Sequence, residues 1–166
     1  LSSGSGVTGL DGSTQVIQVL TVSGANSASA ASSSPVAAAI SEGDMSTLAG
    51  LTETGNAYTV TVTDTSGVSA SALTALAGKT TVDVNASAVT SVTGSVSELT
   101  ALYAANDITG LGNEAVSLSE TISVANANTV SALTTGAVTA ALSEGDMSKL
   151  AGLTETGNAY TVTVTD

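Results

Sequence analysis

Two carboxylates set two residues apart, Glu42 and Asp44, return in the same surroundings as Glu144 and Asp146. Carboxylates support two kinds of chemistry. A pair in contrasting environments divides acid and base roles at a reacting bond, whereas a cluster of hard oxygens holds calcium. The turn Ser41-Glu42-Gly43-Asp44 and the dipeptide Asn106-Asp107 are oxygen-rich in the way calcium prefers. Glu42, Asp44, Glu144 and Asp146 are therefore the candidate metal ligands, and calcium is the one candidate cofactor. A plainer role fits the same residues: a polar turn in which Asp44 and Asp146 cap the helices that follow. Duplication along the chain favours that role, since an active site is seldom copied.

Other chemistry is missing from the alphabet. The chain has no histidine and no cysteine, which removes nucleophilic triads and the common zinc sites. Gly110-Leu111-Gly112 has no phosphate-binding lysine after it, and Lys79 and Lys149 read as surface charges. No catalytic or cofactor-binding residue is predicted, and the chain is not expected to be an enzyme. Fourteen acids face two lysines, a formal charge of -12. A nucleic-acid binder replaces phosphate counterions with basic side chains, so that class is excluded. An anionic membrane surface would repel the chain, and no apolar run reaches the length of a membrane span. No nucleic-acid partner and no membrane insertion are expected.

The elements that place these residues are read from a repeat. Ser41–Asp64 recurs as Ser143–Asp166, 102 residues on, with one of 24 positions changed, Thr47 against Lys149. Upstream, Pro35–Ile40 corresponds to Ala137–Leu142, and Val7-Thr8-Gly9-Leu10 echoes Ile108-Thr109-Gly110-Leu111. Residues 1–166 thus read as one repeat array, with 7–108 a first long repeat, degenerate at its start, and 109–166 a partial second. Stopping in mid-copy suggests a cut from a longer array.

Within the long repeat, aliphatics alternate as strands require. They do so at Val36-Ala38-Ile40, Val60-Val62, Val82-Val84, Val116-Leu118, Val138-Ala140-Leu142 and Val162-Val164, in steps of 24, 22, 34 and 22 residues over the first five. Thr59, Thr61, Thr63, Asp83, Asn85, Ser117 and Ser119 are the solvent-facing alternates. After the strands come Ala-rich segments with large aliphatics three apart: Leu48 and Leu51, Leu73 and Leu76, Leu99 and Leu102, Val130 and Leu133, Leu150 and Leu153. That spacing marks one helical face. Asp44, Asp146 and the box Ser95–Glu98 supply starts, and Gly50, Gly78, Gly136 and Gly152 supply stops.

The predicted fold is an α/β solenoid with a parallel sheet, built from strand–helix units of about 25 residues, four to each long repeat. A unit this small has no interior until it stacks on a neighbour. Apolar residues make up 42% of the chain and aromatics 2%, which suits a core one side chain deep. The alternative is a tandem immunoglobulin-like β-sandwich of similar repeat length, which leaves the helical segments SASALTALAGK and SELTALYAAN unexplained.

The repeated SEGDMxxLAGLTETGNAYTVTVTD, with ITGLGNEAVSLSETISVANANTVSALTTGAVTAALSE, resembles the Ala/Thr/Val-rich long-repeat regions of giant bacterial surface or type I-secreted proteins of the marine cyanobacterial kind. The resemblance implies an extracellular or cell-surface scaffold segment: a spacer, surface coat or filament. Its partners would be neighbouring repeats or further copies joined end to end. The alternative is an adhesin or fibre repeat that binds a glycan or surface, for which Tyr58, Tyr103 and Tyr160 would be the platform. The nonapeptide calcium repeat GGxGxDxUx does not occur here, which counts against an obligate calcium role.

Overall fold

The computed structural model describes residues 18–166; the echo at Val7–Leu10 and the start of the first long repeat lie outside them. The described chain is α/β, with parallel strands throughout. Ten strands are interspersed with six helices. The first elements are β1 (Val19–Leu20), α1 (Val22–Ala31), β2 (Ala37–Ile40), α2 (Met45–Leu48), β3 (Ala57–Thr59), β4 (Val68–Ser69) and α3 (Ala70–Ala77). There follow β5 (Val84–Asn85), β6 (Ser91–Gly94), α4 (Val96–Ala104), β7 (Ile108–Thr109) and β8 (Ala115–Ile122). The last elements are α5 (Val124–Ser131), β9 (Val138–Leu142), α6 (Met147–Leu150) and β10 (Ala159–Thr161).

The strands pair in three sheets, β1-β2-β3, β5-β7 and β4-β6-β8-β9-β10. Every partner lies 20, 22 or 24 residues away, as in Val19 with Ala39, Val68 with Val92, Val84 with Ile108 and Val116 with Val138. Single bridges from Asn56 to Thr80 and from Thr61 to Asn85 join the first two sheets. Parallel partners at this separation require a crossover between them, and each of the six helices lies in one, α1 between β1 and β2 and α5 between β8 and β9 for example. β3 and β10 have the same sequence, yet β3 belongs to the three-stranded sheet and β10 to the five-stranded one. One long repeat therefore carries a segment from one row of strands to the next.

Small side chains fill the interior. Leu48, Leu73, Leu99, Val60, Val62, Val84, Val92, Val116, Val130 and Val138 are fully buried, and with Leu51, Leu76 and Leu102 they form one continuous core. A second cluster of Ile122, Val124, Ala127, Ala140 and Leu142 serves the last elements. Thr59, Thr61, Thr63, Asp83, Asn85, Ser117 and Ser119 are exposed, as their alternation predicts.

Several expectations are corrected. The strands at β4, β6 and β7 escaped the alternation pattern, because two to four residues are too few to display a period. The step of 34 residues from Val82 to Val116 accordingly passes from the β5-β7 sheet to the longer sheet. Val82 is 37% exposed and only Val84 of that pair reaches the core. The stretches Val60-Val62 and Val162-Val164 follow strands β3 and β10 and do not form them. Helix α1, with its Ser- and Ala-rich sequence, carries no large aliphatic pair and was not predicted. Gly136 ends no helix: α5 stops at Ser131, and Gly136 lies against the Glu114 carbonyl, where a Cβ would collide.

Candidate functional site

The four candidate carboxylates are split between two tasks. Asp44 accepts from the Thr47 N–H at 2.9 Å and from the hydroxyls of Ser46 at 2.6 Å and Thr47 at 2.9 Å, as the N-cap of α2. Asp146 caps α6 through the Ser148 N–H at 2.7 Å. Glu42 turns the other way. Its Oε2 accepts from the Ser41 hydroxyl at 2.8 Å and from the Val22 N–H, at the first position of α1, at 3.1 Å. Glu144 repeats both bonds, with the Ser143 hydroxyl at 2.8 Å and the Val124 N–H at 3.1 Å.

Electrostatics follow the donors. The Ser46 hydroxyl, then the Thr47 hydroxyl and N–H, hold the Asp44 carboxyl below its ordinary range, and the Ser148 hydroxyl and N–H do so for Asp146. The Ser143 hydroxyl lowers Glu144, helped by the Val124 N–H and by Lys149. A donor that favours the charged form keeps the proton off.

The Glu42 bond is one member of a row that the sequence did not announce. The Met45 N–H donates to Asp64 at 2.6 Å, the Val96 N–H to Glu120 at 2.9 Å and the Met147 N–H to Asp166 at 2.9 Å. Among the described residues, five of the six helices thus give their first free N–H to a carboxylate 19 to 24 residues further on. Helix starts leave N–H groups unpaired and carry partial positive charge, so an acid from later in the chain both bonds and neutralises. At α3 the corresponding place is taken by Gly94, where any side chain would crowd Ala70.

Asparagines form a second row. Asn26 donates to the Gly50 carbonyl at 2.7 Å and accepts from the Thr52 N–H at 3.1 Å, and Asn128 does the same with Gly152 and Thr154 at 2.8 and 3.1 Å. Buried Asn56 accepts from the Val36 N–H at 2.8 Å and donates to the Ser29 hydroxyl at 2.9 Å; Asn158 repeats this with Val138 and Ser131, both at 2.8 Å. The signal for them was available in the 102-residue alignment, which places Asn26 over Asn128 and Asn56 over Asn158.

Among the described residues, Glu114 is the one acid sealed in the interior, at 1% exposure. It accepts from the Gly112 N–H at 2.9 Å, from the Asn113 N–H at 3.2 Å and from the Tyr103 hydroxyl. Burial, with the adjacent Glu114 carboxylate, pushes the Tyr103 hydroxyl upward. A buried charge is tolerated only when so supplied with donors, and the pair pins the Gly110–Gly112 turn.

These arrangements bond the chain to itself. Among the described residues no three Asp, Glu, His or Cys side chains converge on one point, and no buried side-chain polar atom lacks a partner. The structure does not direct Glu42 and Asp44 at a common ligand. The tyrosines are likewise engaged: Tyr58 bonds the Ala25 carbonyl at 3.2 Å and is 1% exposed, Tyr160 faces the Ala127 carbonyl at 3.5 Å, and Tyr103 holds Glu114. No helix among the described residues is long and apolar enough to cross a membrane. No family model, curated protein or solved structure matches the chain.

Proposed function

We propose that this chain is a segment of an α/β solenoid that serves as a spacer, coat or shaft in a large extracellular repeat protein, and that it carries no catalysis. One observation supports this reading above the others. The polar side chains that recur at 102 residues, Asn26, Glu42, Asn56 and Asp64 with Asn128, Glu144, Asn158 and Asp166, are used to tie each coil to the next. A repeat whose polar residues are consumed in stacking propagates a shaft and leaves no constellation over for a substrate. The extracellular setting rests on the resemblance of the repeat to giant bacterial surface proteins.

Growth in one dimension is the test. With partners 20 to 24 residues apart, a 102-residue repeat makes somewhat more than four coils, which spaced as parallel strands advance about 20 Å. Small-angle X-ray scattering of this chain and of a version lengthened by one 102-residue repeat should show a maximum dimension increased by about that amount at a constant cross-section. A cross-section that widens with the added repeat would remove the reading.

A further inference from the structure

The same sequence is folded twice in this molecule, once covered and once bare. Leu48, Val60 and Val62 are each 0% exposed and Tyr58 is 1% exposed. Their counterparts 102 residues on, Leu150, Val162 and Tyr160, are only part-buried, and Val164 is 57% exposed. Met147 reaches 54% exposure, whereas Met45 is part-buried. Sequence cannot be the cause, because these residues are identical in the two copies. The difference is what lies on top.

In the first copy that cover is known in detail. Helix α3 packs beside α2, and residues 80–85 run parallel to residues 56–61. The Tyr58 N–H donates to the Thr80 hydroxyl at 3.0 Å, and that hydroxyl donates to the Tyr58 carbonyl at 2.7 Å. The Val62 N–H donates to the Asn85 carbonyl at 2.8 Å, and the Asn85 N–H to the Val60 carbonyl at 3.0 Å. Lys79 reaches the Thr52 carbonyl at 3.2 Å.

We infer that the face made by α6, β10 and residues 162–166 is a docking surface for a strand–helix unit with the chemistry of residues 65–85. That chemistry is an Ala/Leu helix laid beside α6, a threonine at the level of Tyr160 and a parallel strand at the level of Val162 and Val164. The occupant is further repeat sequence of this type. The inference rests on the solenoid reading and adds to it which face is receptive and what it receives. The acceptor side is already built: β10 is held on its inner edge by β9, with Tyr160 opposite Ala140. Its outer groups are those that Thr80 and Asn85 satisfy in the first copy.

The test lengthens the full chain at its C-terminus by a second copy of residues 65–104, with a control carrying the same forty residues in shuffled order. Amide hydrogen exchange is read by NMR at Tyr160 and Val164, and at Tyr58 and Val62 as internal references. The true extension should slow Tyr160 and Val164 by at least about tenfold relative to the shuffled one. Equal rates in the two, with Tyr58 and Val62 slow, would overturn the inference and leave the solenoid standing. Fast exchange at Tyr58 and Val62 would instead remove the solenoid reading on which it rests. Concentration-dependent protection of Tyr160 in the unextended chain would overturn it in another way, by making a second copy the occupant.

Discussion

Asn56 shows how a single residue acts differently in two copies of one sequence. Its amide bridges two neighbouring segments, and its own carbonyl accepts from the Thr81 N–H of a later segment at 2.9 Å. Replacing this buried asparagine by alanine removes the partner of the part-buried Val36 N–H, which costs about 1–3 kcal/mol. Asn158 makes the same side-chain bonds but is only part-buried, so solvent can replace what it loses. Urea unfolding of Asn56→Ala should show a loss of about 2 kcal/mol and Asn158→Ala less than half of it. Equal losses would mean that burial by the segment stacked on it is not what gives the asparagine its value.

At the scale of the element, the helices explain why the acids are where they are. Each of the six has a side-chain N-cap, from Thr21, Asp44, Ser69, Ser95, Ser123 or Asp146. At α4 the Ser95 N–H and hydroxyl both hold Glu98 below its usual range. For Asp44, Glu98, Glu144 and Asp146 the folded carboxyl ionises at lower pH than the unfolded one. The unfolded chain therefore binds more protons in that window, and stability rises with pH across it. This contribution is complete above the ordinary values of 3.8 and 4.5 and is lost as pH falls through the lower folded ones. Thermal midpoints should be level above about pH 5 and drop steeply below about pH 4, with a shallower drop in Asp44→Asn. Tyr103 has the opposite sense: its raised ionisation gives stability that is present below 10.0 and lost at higher pH.

For the whole molecule, net charge and local charge make opposite demands. The carboxylates at helix starts work through contacts near 3 Å, which salt screens little. Fourteen acids against two lysines repel one another over longer distances, where a Debye length of about 10 Å at 0.1 M is effective. The long-range term is the one that salt removes, so the thermal midpoint should rise as sodium chloride is taken from about 0.01 M to 0.15 M. A midpoint that falls would show that attraction to helix ends dominates the electrostatics. The thin core has a related consequence: with no aromatic side chain apart from three tyrosines, cohesion comes from many small contacts between neighbouring segments.

The sequence by itself determined the α/β class, the parallel strands through its repeat, the paired Leu faces of α3 and α4, the Asp44 and Asp146 caps and the Ser95–Glu98 box. The Leu faces and the caps are local patterns, fixed by a period or by a cap two or three residues from its partner, whereas Leu51, Leu133 and Leu153 of the other predicted pairs lie beyond the ends of α2, α5 and α6. Only the tertiary structure decided the rest. Glu42, Asp64 and Glu120 meet helices 19 to 24 residues earlier in the chain, and Glu114 is buried through a turn and a helix that converge on it. No local pattern encodes these meetings, because they depend on which segment lies against which. The exposure of Val164 beside the burial of Val62 carries the same lesson: identical residues acquire different surroundings from the neighbour stacked upon them.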